Sequence, residues 1–186
     1  SACPGAYYAW FAEETAREGV APNAAHRCLA DLERAGKLKA VVTQNIDGLH
    51  QAAGSKRVFE LHGNWTRLEC TGCGARSTID DFDEARAGRV PHCPSCSAVV
   101  RPDIVFYGEA LDPATLEGAV LAIAGADMLI VGGTSLAVYP AAGLIDYYQG
   151  GRLVLMNATP TPYDGRADLI IREPIGRVFA QIQGHV

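Results

Sequence analysis

The chain of 186 residues has no apolar run approaching the ~18 residues that a membrane-spanning helix needs, so no membrane span is expected. It has no basic tract either. The 16 Lys and Arg residues are scattered and the formal net charge is -5. No positive stripe faces a phosphate backbone, and direct nucleic-acid binding is not expected. The opening SACPGAYYAW lacks a basic region followed by a long apolar one, so no secretory signal is read and the expected location is cytoplasmic. Internal repeats, low-complexity tracts, a Walker loop and a G-x-G-x-x-G fingerprint are all missing. Nothing in the sequence selects an oligomeric state.

What is present is a composition 48% hydrophobic, enough for a sizeable core and for one large domain, or one domain with a small insertion. Residues 5–18 and 23–35 carry helical spacing, with Pro22-Asn23 as break and cap and Gly36 as a stop. LKAVVTQ reads as a buried strand, DGLHQAAG as a short helix or turn, and RVFELHG as a brief strand. Further on come a helix over 113–124, the strand DMLIVGGTS, a helix over 139–148, the strands RLVLMNATPT and ADLIIRE, and a terminal helix from Pro174. Strands alternating with helices predict an α/β fold with a mostly parallel sheet, whose ligand crevice lies beyond the carboxyl ends of the strands. Residues 65–101 break the pattern. They are rich in Gly, Pro, Cys and charge, with little apolar periodicity, and are expected to form a small module held by something other than a core. The expected division is therefore 1–64 and 102–186 against 65–101.

Four of the six cysteines, Cys70, Cys73, Cys93 and Cys96, form C-x2-C-x19-C-x2-C. Two chelating turns joined by a long loop can place four thiolates at the corners of a tetrahedron, because closing the loop costs little more as it lengthens. Zinc is the expected metal, with an iron-sulfur or redox role as the alternative. Four thiolates leave no position for water or substrate, so the site is expected to be structural. Arg67, Arg76 and Arg89 are candidate counter-charges. Cys28 is expected to be buried on a helix, and Cys3 is uninformative.

Polar groups gather where strands end. Gln44, Asn45, Asp47 and His50 follow AVVT, His62 ends FELH, VGGTS spans 131–135 and Asn157 follows LVLM. A glycine-rich turn before a helix admits a phosphate or ribose closely, although such turns often serve only the fold. Histidine is suited to proton transfer near neutral pH, which makes His62 a candidate base. His26 and His50 are expected to make local helix or turn contacts.

VVTQNIDGLHQAAGS, ELHGN, the cysteine pairs, RPDIVFYGE, GGTSLAVYPAAGL and NATPTPYDGRADLII, in that order, resemble the sirtuins, NAD-dependent protein lysine deacylases. The resemblance covers about Ala21 to Phe179. It implies a Rossmann-like domain with an inserted zinc-ribbon module, NAD as a consumed co-substrate, one structural zinc and acylated-lysine proteins or peptides as substrates. It also implies that Gln44 and Asn45 line the ribose and catalytic-water region, that Asp47 binds the nicotinamide carboxamide, and that His62 is the general base, with Asn45 also catalytic. Gly133, Thr134 and Ser135 would receive the phosphates and adenosine ribose, with Asn157 at that ribose. Val105, Tyr107, Gly108 and Glu109 would line a groove where the peptide pairs as an added strand. The implied reaction starts with attack of the acyl oxygen on C1' of the nicotinamide ribose. It proceeds through an alkylimidate and ends in free lysine and O-acyl-ADP-ribose.

The family's opening strand and Gly-Ala-Gly-x-Ser loop have no counterpart in this sequence, so the chain is expected to be a fragment or to lack an N-terminal part. Members that take acidic acyl groups carry Tyr-x-x-Arg where Tyr8 and Phe11 stand, and without that Arg an uncharged acyl group such as acetyl is expected. Two other functions fit some of the same residues: an NAD-dependent ADP-ribosyltransferase sharing the nicotinamide pocket, and a non-catalytic zinc-ribbon interaction domain whose Gly-rich turns are mere loops.

Overall fold

A computed structural model describes residues 3–15 and 20–183. In chain order the elements are α1 (Pro4–Thr15), α2 (Ala24–Arg34), β1 (Val41–Thr43), α3 (Leu49–Ala52), β2 (Val58–Glu60), β3 (Gly63–Cys70), β4 (Arg76–Thr78), α4 (Asp83–Arg86), β5 (Val100–Ile104), α5 (Pro113–Ala124), β6 (Leu129–Gly132), β7 (Leu153–Met156), β8 (Leu169–Ile171) and α6 (Ile175–Ile182). Residues 16–18 of the first expected helix lie outside the described residues, as does His185. None of the described helices is long and apolar enough to cross a membrane.

The chain divides into two compact units. One comprises Ser1–Ala21, Asn45–Gly48 and His62–Glu109, the other Pro22–Gln44, Leu49–Leu61 and Ala110–Val186. In the second, larger unit the parallel strands form two ladders, β1–β2 and β6–β7–β8. All four residues of β7, the central strand of its ladder, are buried, which its unbroken apolar run Leu-Val-Leu-Met requires. Asn23 caps α2: its Oδ1 accepts from the N–H groups of Ala25 (2.9 Å) and His26 (3.2 Å), while His26 Nδ1 accepts from the Asn23 N–H at 3.2 Å. The capped helix buries Ala25 and Cys28 in a core with Val154, Met156 and Phe179. Asp112 caps α5 by accepting from the Thr115 N–H at 2.7 Å, with Pro113 at the first helical position. His26 and His50 pack ring to ring at 4.7 Å, the local role expected of both.

The helix expected over 139–148 is instead a 3-10 segment, Ala141–Tyr147. The N–H groups of Gly143 and Tyr148 reach the carbonyls of Pro140 and Ile145, three residues back. Gly143, near the middle, gives little support to the wider α turn.

In the smaller unit β3 is the middle of an antiparallel sheet, β4–β3–β5, whose register shifts between Asn64 and Leu68. This unit has a genuine apolar core: Tyr8 and Phe11 of α1 pack with Leu68, Ile79, Phe82, Ala85 and Val100. The Tyr8 hydroxyl, whose pKa burial pushes upward, donates to the Val100 carbonyl at 2.6 Å. The expectation that residues 65–101 hold together without a core is therefore corrected. The missing apolar surface comes from α1, far away in sequence.

Candidate active site and metal centre

Strand β3 delivers Cys70 to the first cysteine turn, closed by the Cys70 N–H donating to the Ala75 carbonyl at 2.9 Å and the Gly74 N–H to the Cys70 carbonyl at 3.0 Å. The second turn is closed by Cys93 N–H to Ala98 carbonyl and Ser97 N–H to Cys93 carbonyl, both 2.8 Å. The four thiol sulfurs all lie within 4.8 Å of one another, with Cys70–Cys96 at 3.4 Å and Cys73–Cys93 at 3.7 Å. Zinc–sulfur bonds of about 2.3 Å in a tetrahedron put sulfurs about 3.8 Å apart, so the four residues fit zinc. The backbone N–H groups of Cys73 and Gly72 aim at Cys70 Sγ from 3.5 and 3.4 Å. They bring that thiol down to about 6, the Cys73 amide contributing most. The amides of Ser95 and Cys96 likewise lower Cys93. The turns thus favour the thiolate, the form that binds metal, at Cys70 and Cys93, whereas hydrogen bonds from neighbouring cysteines are among the causes that push Cys73 and Cys96 upward. Arg67 is not a counter-charge dedicated to this cluster: its Nε donates to Asp103 at 2.9 Å.

Gly72 is required by packing. A Cβ there would lie 2.7 Å from Ala98 Cβ and 3.3 Å from Cys96 Sγ, between the two turns. Gly72→Ala is expected to weaken zinc affinity roughly tenfold while leaving the four ligands intact. Competition against a chromophoric chelator measures this, and unchanged affinity would show that the turns yield freely.

The smaller unit also carries Asn45, Asp47, His62 and the 105–109 loop. Asn45 Nδ2 donates to Asp47 Oδ2 at 3.2 Å. The Trp65 N–H donates to the Ile46 carbonyl at 3.1 Å, tying this segment to the start of β3. His62 immediately precedes β3, and its carbonyl accepts from the Val105 N–H at 3.0 Å. Between them the backbone passes so closely that a Cβ on Gly63, at φ +78°, would fall 1.9 Å from the Asp103 carbonyl oxygen. The main chain thus holds His62 and Val105 side by side. Beyond Val105 the Glu109 N–H closes a turn onto the Phe106 carbonyl at 3.0 Å, leaving Tyr107 and Gly108 exposed at its tip.

In the larger unit, Gln44, Gly133–Ser135 and Asn157 directly follow β1, β6 and β7, at the carboxyl ends of parallel strands. The Gly133 N–H donates to the Met156 carbonyl at 3.0 Å, and Thr134 Oγ1 accepts from the Leu136 N–H at 3.2 Å. Asn157 Nδ2 donates to the Thr159 carbonyl at 2.9 Å, a local cap. Two arginines given no role in the sequence reading fasten loops, one in each unit. Arg172 donates to the carbonyls of Asn157 (3.2 Å) and Thr159 (3.1 Å) and pairs with Asp164; Arg101 pairs with Glu109. Arg101 stands with Glu109 in the segment RPDIVFYGE, but nothing in the sequence marks their pairing; for Arg172 the signal was an arginine next to a strand end.

The sequence pattern of the Sir2 family matches residues 1–140. The chain belongs to the Sir2 family. It is 48% identical over 176 residues to the NAD-dependent protein deacetylase of Clostridium acetobutylicum, covering 95% of this chain and 71% of that one. It is 53% identical over 162 residues to the protein of the same description from Clostridium perfringens, covering 87% and 66%. A Sir2 structure with a p53 peptide and NAD+ superimposes with a TM-score of 0.88 at 39% identity, covering 99% of this chain and 78% of that one. Another, bound to acetylated peptide, gives 0.90 at 39% identity, covering 99% and 79%. A Sir2 chain is therefore an α/β protein with a Rossmann-like part and a cysteine cluster, as the sequence implied, and the zinc-ribbon interaction domain is set aside as a separate identity.

Proposed function

We propose that the protein is an NAD-dependent protein lysine deacylase, foremost a deacetylase, releasing nicotinamide and O-acyl-ADP-ribose. The observation that carries this is 48% identity across 95% of the chain to an NAD-dependent protein deacetylase. On this reading the residues take the following roles. His62 is the general base that takes a ribose hydroxyl proton after nicotinamide leaves. Asn45 orients water and ribose with Gln44, and Asp47 accepts from the carboxamide NH2 of nicotinamide. Gly133, Thr134 and Ser135 meet the phosphates and adenosine ribose, and Asn157 meets that ribose. An extended acyl-lysine peptide pairs along Val105–Glu109. Cys70, Cys73, Cys93 and Cys96 would hold zinc as a structural cross-link, since a site filled by four thiolates leaves no place for a reacting water.

An uncharged acyl group suits α1. Phe11 stands where an arginine would be needed and is buried, and the Tyr8 hydroxyl is committed to the Val100 carbonyl. Thiolates reserved for a metal suit a reducing compartment, which supports a cytoplasmic location. The test is to incubate the full-length gene product with NAD and an acetyl-lysine peptide. Nicotinamide, deacetylated peptide and O-acetyl-ADP-ribose should form in equal amounts. ADP-ribosylated protein without deacetylated peptide would instead show an ADP-ribosyltransferase and overturn the proposal.

A further inference from the structure

The loop that follows β5 has almost no packing of its own at its tip. Nothing lies within 4 Å of where a Gly108 Cβ would be, and Tyr107 is fully exposed. It is nonetheless held at three points by one side chain. Arg101 Nη1 and Nη2 donate to Glu109 Oε1 and Oε2, each at 2.8 Å, and Nη2 also donates to the Ile104 carbonyl at 2.9 Å. The guanidinium carbon stands 4.8 Å from the centroid of the Phe106 ring, whose other contacts include the Tyr7 ring, edge-on at 5.6 Å. Glu109 Oε2 accepts a further bond from the Phe106 N–H at 3.0 Å. The beginning, middle and end of the loop are thus fastened to one guanidinium.

We propose that Arg101 is a positioning residue for the acyl-lysine peptide: its fork onto Glu109, Ile104 and Phe106 presets the 104–109 loop in the shape the extended peptide pairs with. This rests on the deacylase function and on assigning Val105–Glu109 to the peptide. Arg101 and Glu109 side chains are 37% and 40% exposed, so charge attraction by itself would count for little. What matters is the geometry, two parallel charge-assisted bonds plus a carbonyl and a ring, which lysine with its single point charge cannot reproduce. A loop ordered before binding spares the peptide the entropy of ordering it. The hydrogen bonds from Arg101, and then that from the Phe106 N–H, hold the Glu109 carboxyl down at about 2. Because that folded-state value is depressed, the clamp's contribution is complete above the ordinary carboxylate range and is lost only as pH falls toward about 2.

The test compares Arg101→Gln, Arg101→Lys, Glu109→Gln and the double variant Arg101→Gln/Glu109→Gln in the full-length gene product, reading kcat, KM for acetyl-lysine peptide, KM for NAD and zinc content. Each single glutamine variant should raise peptide KM ~10-fold, with NAD KM and zinc content near those of the parent. Arg101→Lys should recover only part of the loss. The double variant should be no worse than the worse single one, since both remove the same clamp. Unchanged peptide KM in an active enzyme would overturn the clamp alone, as would equal rises in both KM values with loss of zinc, the signature of a general structural role. A parent protein that turns over no acetyl-lysine peptide would overturn the deacylase function beneath it. Arg101→Lys, which keeps the charge, serves as the decisive variant if glutamine prevents folding.

Discussion

His62→Ala is expected to lower kcat/KM for an acetyl-lysine peptide by about 10²–10⁴-fold, the range that a positioned acid or base contributes. Zinc content and thermal midpoint should stay close to those of the parent. The reason lies in how the residue is fixed. Two of the contacts that place it are made by main chain: its carbonyl accepts from Val105, and Gly63 lets β3 start against the Asp103 carbonyl. Removing the imidazole leaves both intact, so the peptide loop and the sheet survive and the loss reports chemistry. Since the base acts after nicotinamide departs, exchange of labelled nicotinamide into NAD should persist in the variant even when deacetylation has gone. Normal turnover would remove His62 from the mechanism. Loss of exchange together with deacetylation would move its role to an earlier step.

Cys70→Ala should abolish stoichiometric zinc binding and collapse the smaller unit. Cys70 is 2% exposed and belongs to the same apolar cluster as Tyr8, Leu68 and Val100, so the substitution opens the core as well as the metal site. Zinc binding in small peptide modules is worth ~10–16 kcal/mol near neutral pH, most of it realised as folding. The apolar core supplied through α1 offsets only part of that loss. The larger unit has an independent core around Cys28, Val154, Met156 and Phe179 and should keep its secondary structure. The expected result is metal content near zero, new protease cleavage within 65–101, and a melting curve that splits into an early and a late transition. Retained zinc with unchanged melting would refute the structural role.

The metal centre was legible because its ligands form two short chelates: spacing alone brings each pair to one ion, and the sulfurs indeed cluster within 4.8 Å. The placement of Gln44, Gly133–Ser135 and Asn157 directly after β1, β6 and β7 was legible, because apolar runs mark where buried parallel strands end. The core of the smaller unit was not. Tyr8 and Val100 are 92 residues apart, and neither β3 nor α1 shows a pattern strong enough to announce the other. Arg101 and Glu109 both stand in RPDIVFYGE, but their pairing was not legible, since a bidentate contact across an irregular loop has no periodicity to betray it. The 3-10 form of Ala141–Tyr147 was missed because apolar spacing signals a helix without fixing its hydrogen-bond step.

The bond from the Val105 amide to the His62 carbonyl carries a lesson for redesign. Attempts to transplant a relative's peptide-recognition loop would ordinarily exchange residues 104–109 by themselves. Here that segment shares its backbone anchoring with the histidine, and the two strands between which they sit touch where no side chain fits at Gly63. A graft that shifts the backbone of the loop should disturb the proton acceptor as well, whereas one that keeps the backbone path should not. A graft that carries residues 62–64, Arg101 and 104–109 together keeps the backbone bond, the close passage at Gly63 and the Arg101 fork in one piece.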